Sequence, residues 1–248
     1  MTSLTDETNT AAGWTVRKRP AAERGRAEHG WLHARFSFSF AEYFDPDQMG
    51  FRSLRVMNND IIEPGGGFPL HPHKDAEIFT YVMSGSLEHS DSMGNGSVIT
   101  AGNLQYMSAG AGVKHSEFNP SKTEPTELYQ VWLRPNESGG EPRYAEKKLG
   151  HAAQDNALTL LLSGAPQGDA TVFRQDAEVS FGKLQAGKSL EVDADTQQCH
   201  GWVQVIQGEV EVLGEILGKA DGLAISDHPD SFSIQASEDS QFLLFRLS

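Results

Sequence analysis

The strongest constraint in this chain is its punctuation. Short alternating or apolar runs are separated by glycine-bearing turns, and helical periodicity is scarce. Within Trp31 to Phe40, Phe36, Phe38 and Phe40 alternate with Ser37 and Ser39, the period of a half-buried strand. Asp45-Pro46-Asp47 breaks that pattern, and Leu54 to Met57 resumes it. Further strands are expected at Glu77 to Met83, Val98 to Thr100, Leu104 to Met107, His115 to Phe118 and Leu128 to Leu133, with a hairpin turn at Met93-Gly94-Asn95-Gly96. The expectation is an all-β chain of sandwich or barrel type.

The polar stretch from Pro135 to Pro142 leads to an expected domain boundary near Leu149, after which strands recur. They are expected at Leu158 to Leu162, Val179 to Leu184, Trp202 to Ile206, Val210 to Leu213 and Phe242 to Leu247. The hairpin around Gly208 echoes the one around Gly85, which suggests a duplicated unit. Laying Gly208 on Gly85 sets His200 at Glu77, Ala194 and Thr196 at His71 and His73, and Glu238 and Ser240 at His115 and Glu117. The chain then reads as a tail (1–13, polar and expected to be disordered), a first β domain (14–149) and a degenerate second one (150–248).

Composition excludes several classes. A net charge of -14 over 248 residues disfavours direct binding to nucleic acid or anionic membranes. No apolar run is long enough to span a membrane, and the N-terminus lacks a signal-peptide core. The single cysteine, Cys199, rules out an intrachain disulfide and a Cys-rich metal site, and it fits a reducing cytoplasm.

The chemistry is carried by two strings. Alternate residues of a strand share a face, so His71 and His73 share one, and so do His115 and Glu117. Three imidazoles and a carboxylate on one barrel wall suit a single divalent transition metal with open coordination positions. Glu77 has the spacing to reach the same wall, either as the carboxylate ligand or as a group holding a ligand imidazole in place. By the same parity Phe79, Tyr81 and Met83 would wall an apolar pocket, while His89 is read as a turn-stabilising residue and His29 and His33 as packing groups or as groups that hold a ligand side chain in place. His151, His200 and His228 have no partner string.

Gly65-x5-His71-x-His73-x3-Glu77-x7-Gly85 resembles the first cupin motif, and Gly112-x2-His115-x3-Asn119 the end of the second. His29-Gly30-Trp31-Leu32, Phe36-Ser37-Phe38-Ser39-Phe40, His71-Pro72-His73, Glu88-His89-x-Asp91-Ser92 and Gly112-x-x-His115-Ser116-Glu117 resemble the bacterial members of the pirin family. The resemblance runs strongly from Trp14 to Tyr144. It implies a bicupin, two jelly-roll-like β-barrels in one chain, with a metal in the first barrel only. The implied ligands are His71, His73, His115 and Glu117, whereas the general cupin pattern would take Glu77 as its carboxylate. The implied metal is iron first, with nickel, manganese, copper, cobalt and zinc as alternatives.

Several pirin-like proteins are quercetinases, oxidoreductases that open the central ring of a flavonol with O2 and release carbon monoxide. The resemblance therefore implies a quercetin 2,3-dioxygenase-like enzyme, a monomer, acting on a flavonol-like substrate and O2. Its general base would be Glu117 first and Glu77 second. The competing implication is a metal-bearing regulator without catalysis, acting through a protein partner. A closed pocket favours the enzyme, and an apolar patch at the metal mouth favours the regulator.

Overall fold

A computed structural model describes residues 8–9, 14–149, 153–193, 195, 197–227 and 230–248. Among them the regular structure is strand apart from one 3-10 turn at Ala21–Glu23, so the chain is all-β as expected. No helix among the described residues is long and apolar enough to cross a membrane. The chain divides into two compact units, Arg24–Gly150 with Phe173–Gln175, and Met1–Glu23 with His151–Val172 and Asp176–Ser248.

Two strands, β1 (Thr8–Asn9) and β2 (Thr15–Arg19), precede the first unit in sequence. That unit contains β3 (Gly25–Glu28), β4 (Leu32–Phe36), β5 (Leu54–Ile62), β6 (Gly67–His73), β7 (Glu77–Ser84) and β8 (Ser86–Asp91). It continues with β9 (Gly96–Thr100), β10 (Asn103–Ser108), β11 (Val113–Phe118), β12 (Thr126–Leu133) and β13 (Arg143–Lys148). A seven-stranded sheet, in the order β13-β10-β7-β12-β5-β4-β3, faces a four-stranded one, β6-β11-β8-β9. Leu32, Ala34, Phe36, Ile62, Val82 and Leu128 of the larger sheet pack with Leu87 and Ile99 of the smaller, so the core lies between the sheets.

This core corrects the expected face of β7. Ile78, Thr80 and Val82 point inward, opposite Trp132, Gln130 and Leu128 of β12. Glu77, Phe79, Tyr81 and Met83 therefore lie on the other face, and Phe79, Tyr81 and Met83 do not wall the pocket. The strand is buried on both faces along nearly its whole length, so alternation marks its period without saying which face is inner.

The second unit contains β14 (Ala157–Ser163), β15 (Thr171–Val172), β16 (Ala177–Leu184), β17 (Ser189–Val192) and β18 (His200–Gln207). Its remaining strands are β19 (Val210–Val212), β20 (Glu215–Leu217), β21 (Gly222–Ser226), β22 (Phe232–Ala236) and β23 (Ser240–Leu247). An eight-stranded sheet, β1-β2-β21-β18-β23-β16-β14-β15, accompanies a four-stranded one, β17-β22-β19-β20. β2 was expected in a first domain beginning at residue 14, yet it pairs with β21 (Arg17 opposite Ala224) and belongs here. Conversely, Arg174 and Gln175 hydrogen-bond to Asn136, Glu77 and Arg134 and belong to the first unit. Such long-range pairing leaves no local mark in sequence. Of the expected tail, Thr8–Asn9 pairs with Thr15–Val16, and the rest lies outside the described residues, as do His151 and His228.

The duplication is real at the level of strands. Gly85 and Gly208 both sit at left-handed φ, +73° and +79°. A Cβ on Gly85 would come 2.7 Å from the Pro125 carbonyl oxygen, and one on Gly208 2.5 Å from that of Asp239, so both hairpins need glycine. With these glycines matched, β12 corresponds to β23 and β11 to β22, which corrects the expected pairing of Glu238 and Ser240 with His115 and Glu117. The register instead sets Val192 at His71, Phe232 at His115 and Ile234 at Glu117. The loops before β22 and β23 differ in length from their counterparts, and straight counting slipped across them. Ala194 and Thr196 lie outside the described residues. All three replacements are apolar and buried in the second core.

Candidate metal centre

β6 carries His71 and His73, and a bulge within β6 sets their surroundings. β11 advances two residues from His115 to Glu117 while β6 advances three, from His71 to Phe68, so β6 holds one residue extra. Pro69 and Leu70 are consecutive and both exposed at this irregularity. Proline suits it, having no N–H to give to the ladder. Phe68 and His71 consequently share the inner face despite their odd spacing, with ring centroids 6.3 Å apart. His71 Nδ1 donates to the Pro69 carbonyl at 2.8 Å, which leaves its Nε2 with a bare lone pair. Gly67 permits close strand approach here, since a Cβ would lie 2.4 Å from the Glu117 carbonyl oxygen.

β11 brings His115 directly opposite His71. The two Nε2 atoms are 3.0 Å apart, a separation that a shared proton or a metal ion can bridge. The donor atoms of His71, His73 and His115 all lie within 4.8 Å of one another. Glu117 Oε2 lies 3.9 Å from His115 Nε2 and accepts a hydrogen bond from Gln130 Nε2 at 2.9 Å. The carboxylate is buried, and the Thr80 hydroxyl also bears on it.

The electrostatics agree with a cation at this point. Burial, reinforced by the neighbouring His71, pushes the His73 imidazole down to about 4. Burial and three neighbouring imidazoles push His115 down to about 2. Both are neutral near pH 7, the state a ligand requires. Burial pushes the Glu117 carboxyl up to about 7, despite hydrogen bonds from Gln130 and Thr80. Three imidazoles and a buried carboxylate fit a divalent transition metal ion.

Beside these donors lies a cavity of about 320 Å³. Trp31, Phe36, Phe40, Phe68 and Trp132 form apolar walls, and Asn58, Asp60, Glu117 and Gln130 supply polar atoms. Burial and the Glu117 carboxylate push Asp60 up to about 7, against the opposing pull of Arg24. Trp132 presents an edge to His73 at a centroid distance of 4.8 Å.

Glu77 does not join this group. Its carboxylate accepts hydrogen bonds from the Tyr106 hydroxyl, from Ser108 Oγ at 2.6 Å and from the Arg174 backbone N–H at 3.1 Å. Those bonds lie on the outer face of β7, away from the three histidines. His89 also departs from expectation. It lies inside β8, buried, stacked on Tyr144 at 4.9 Å and edge-on to His115 at 5.3 Å. His29 lines the cavity, whereas His33 pairs with Glu28 and Glu63 at the surface.

The residues missed in sequence are Asn58, Asp60 and Gln130. A signal was present, since Asn58 and Asp60 are alternate polar residues in the apolar strand Leu54–Ile62. A second cluster, Cys199, His200 and Asp227, brings three donor types together, but His200 Nδ1 already accepts from the Asp227 backbone N–H at 3.1 Å.

Comparison with known proteins follows the same lines. Residues 17–133 match the family model for pirin, and residues 160–247 match that of the quercetinase C-terminal cupin domain. The chain is 47% identical over 229 residues to the quercetin 2,3-dioxygenase of Escherichia coli, covering 92% of this chain and 97% of that one. A pirin-like protein of Caulobacter vibrioides is 38% identical, with 92% and 98% covered. The crystal structure of the bacterial pirin YhhW from Escherichia coli in complex with nickel(II) superposes with a TM-score of 0.89 at 44% identity, covering 94% and 98% of the two chains. With a pirin domain at its N-terminal side, a quercetinase-type cupin at its C-terminal side and close relatives matched nearly end to end, this chain belongs to the pirin family of bicupin proteins.

Proposed function

We propose that this chain is a metal-dependent flavonol dioxygenase of the quercetin 2,3-dioxygenase type, with His71, His73, His115 and Glu117 holding one divalent transition metal ion. One observation carries the reading. Three imidazoles and a buried carboxylate border an aromatic-walled cavity of about 320 Å³, a volume suited to a small planar molecule. A concave, aromatic-walled cavity of this kind, open on one side, gives a small flat substrate both a way in and walls to stack on. Iron remains the first expectation, and the nickel in the Escherichia coli pirin supports an ion of the same series. When bound, the ion supplies Lewis-acid polarisation of a substrate oxygen.

The chain's own residues do the rest. Trp31, Phe36, Phe40, Phe68 and Trp132 bind flat rings and exclude water. Gln130 holds Glu117 Oε2, and the carboxylate takes the proton of the flavonol 3-hydroxyl. Its burial makes it a stronger base than an ordinary carboxylate. His71 is kept in its ligating tautomer by the Pro69 carbonyl.

The test is quercetin consumption by metal-defined protein, in air and under argon, with carbon monoxide measured. Turnover should require O2, release carbon monoxide in step with quercetin loss, and vanish in His73→Ala. His33→Ala, at the surface, should leave it unchanged. Equal quercetin loss with His73→Ala, or loss without carbon monoxide, overturns the reading.

A further inference from the structure

The inner face of the larger sheet in the first unit carries a polar row. Strand register sets Asn58 opposite Gln130, Gln130 opposite Thr80, and Thr80 opposite Gln105. One pleat along, Asp60 lies between Ala34 and Leu128. All five polar side chains are buried. Oδ1 of Asn58 and Oδ1 of Asp60 have no protein partner, although both residues line the cavity. A buried acceptor left unpaired costs about 1–3 kcal/mol, so two on one wall are a standing demand for donors. Gln130, opposite Asn58, gives one amide hydrogen to Glu117, and Asn58 Oδ1 is left without a hydrogen bond from it.

The second unit shows that the barrel does not need this row in order to fold. Register sets Ser180 at Asn58, Gly182 at Asp60, Leu244 at Gln130 and Val203 at Thr80. The space over Gly182 is taken by the Phe242 ring, which a Cβ there would meet at 2.2 Å. The row and the three-histidine cluster occur together in the first unit, while the equivalent row of the second keeps only Ser180 as a polar side chain.

We propose that Asn58 and Asp60 are the specificity-determining residues of this cavity, accepting hydrogen bonds from ring hydroxyls of a polyhydroxylated aromatic substrate. They lie on β5, in the sheet facing the one that carries the histidines, so they read substrate hydroxyls on that wall of the cavity. The inference rests on the flavonol reading for its substrate class and extends it to the hydroxyl pattern. A site built to pair hydroxyls discriminates strongly against an analogue that lacks them, because its acceptors then stay unpaired.

The experiment uses two probes, quercetin and 3-hydroxyflavone, which keeps the 3-hydroxyl and 4-keto group but lacks the other ring hydroxyls. Equilibrium dialysis of the metal-loaded full chain under argon gives both dissociation constants without turnover. Quercetin should bind wild type tighter than 3-hydroxyflavone by roughly 10-fold or more, and Asn58→Leu should remove most of that preference while leaving 3-hydroxyflavone within about 2-fold. Asn58→Leu removes an unpaired buried oxygen at similar volume, so the fold should hold. Asp60→Asn, the second variant, keeps an acceptor without its charge and should weaken quercetin by roughly 3- to 10-fold.

A preference unchanged in both variants overturns the assignment, as does failure of both probes to bind wild type. Binding with the expected variant pattern but no carbon monoxide would sink the dioxygenase reading and leave this one standing. Turnover with an unchanged preference would do the reverse.

Discussion

Replacing Glu77 by glutamine should weaken the fold and leave the metal in place. The Glu77 carboxylate accepts from the Tyr106 hydroxyl, Ser108 Oγ and the Arg174 backbone N–H, all at the outer face of β7. Glutamine keeps one oxygen and turns an NH2 group toward partners of which the Arg174 N–H cannot accept and the two hydroxyls can do so only by giving up the bonds they donate. One or two bonds are lost, and each buried bond to a charged group is worth about 1.5–3 kcal/mol, so the cost is roughly 2–5 kcal/mol. For a chain of this size that corresponds to a fall in Tm of roughly 5–15 °C. Circular dichroism melting would read the loss, and elemental analysis of the same sample would read metal per chain. The reasoning is refuted if Glu77→Gln loses its metal while its melting curve stays where it was, because the carboxylate would then be serving the ion.

Glu117→Ala should behave oppositely, lowering metal affinity well beyond the effect of Glu77→Ala, as titration with Fe(II) or Ni(II) would measure. Metal-free Asp60→Asn should melt higher than wild type above about pH 7, and the gain should fade toward pH 4. The sign follows from a folded carboxyl raised to about 7: the folded state holds the proton more tightly, so its stability declines as pH rises from the unfolded value of 3.8 to about 7. The full difference is on the order of 4 kcal/mol, and equal melting of the two proteins at about pH 8 would remove the buried-charge account. Acid should release the metal later than free histidine would suggest, since His73 and His115 are depressed to about 4 and 2. Dialysis should find the ion retained down to about pH 5, and complete loss at about pH 6.5 would contradict that burial effect.

Much of the fold was legible because its signals are local. Alternation at Phe36, Phe38 and Phe40 and the glycines at the hairpins mark strands and turns, and Gly85 and Gly208 prove to be equivalent positions in the two units. The histidines were legible for the same reason, since i and i+2 on a strand need only the strand to be right. Glu77 was not, because β7 is buried on both faces and the hydrophobic pattern cannot say which is inner. Asn58 and Asp60 were passed over because neither forms a motif; their meaning comes from the strands beside them. The membership of β2 in the second unit and the slipped pairing of Glu238 and Ser240 have a common origin, since both depend on long-range register and loop length.

The extra residue in β6 works as a phase shift. On one side of Pro69–Leu70 the inward position is Phe68, a cavity wall, and on the other it is His71, a metal donor. An unbroken strand would tie the two together, so that any one-residue insertion or deletion turning the wall would also turn the histidines outward. With the irregularity between them, the aromatic wall can be re-aimed by changing the length of this segment while His71 and His73 keep their register against β11. Loop-length libraries at Pro69–Leu70 are therefore a way to alter which molecule fits without dismantling the centre that would act on it.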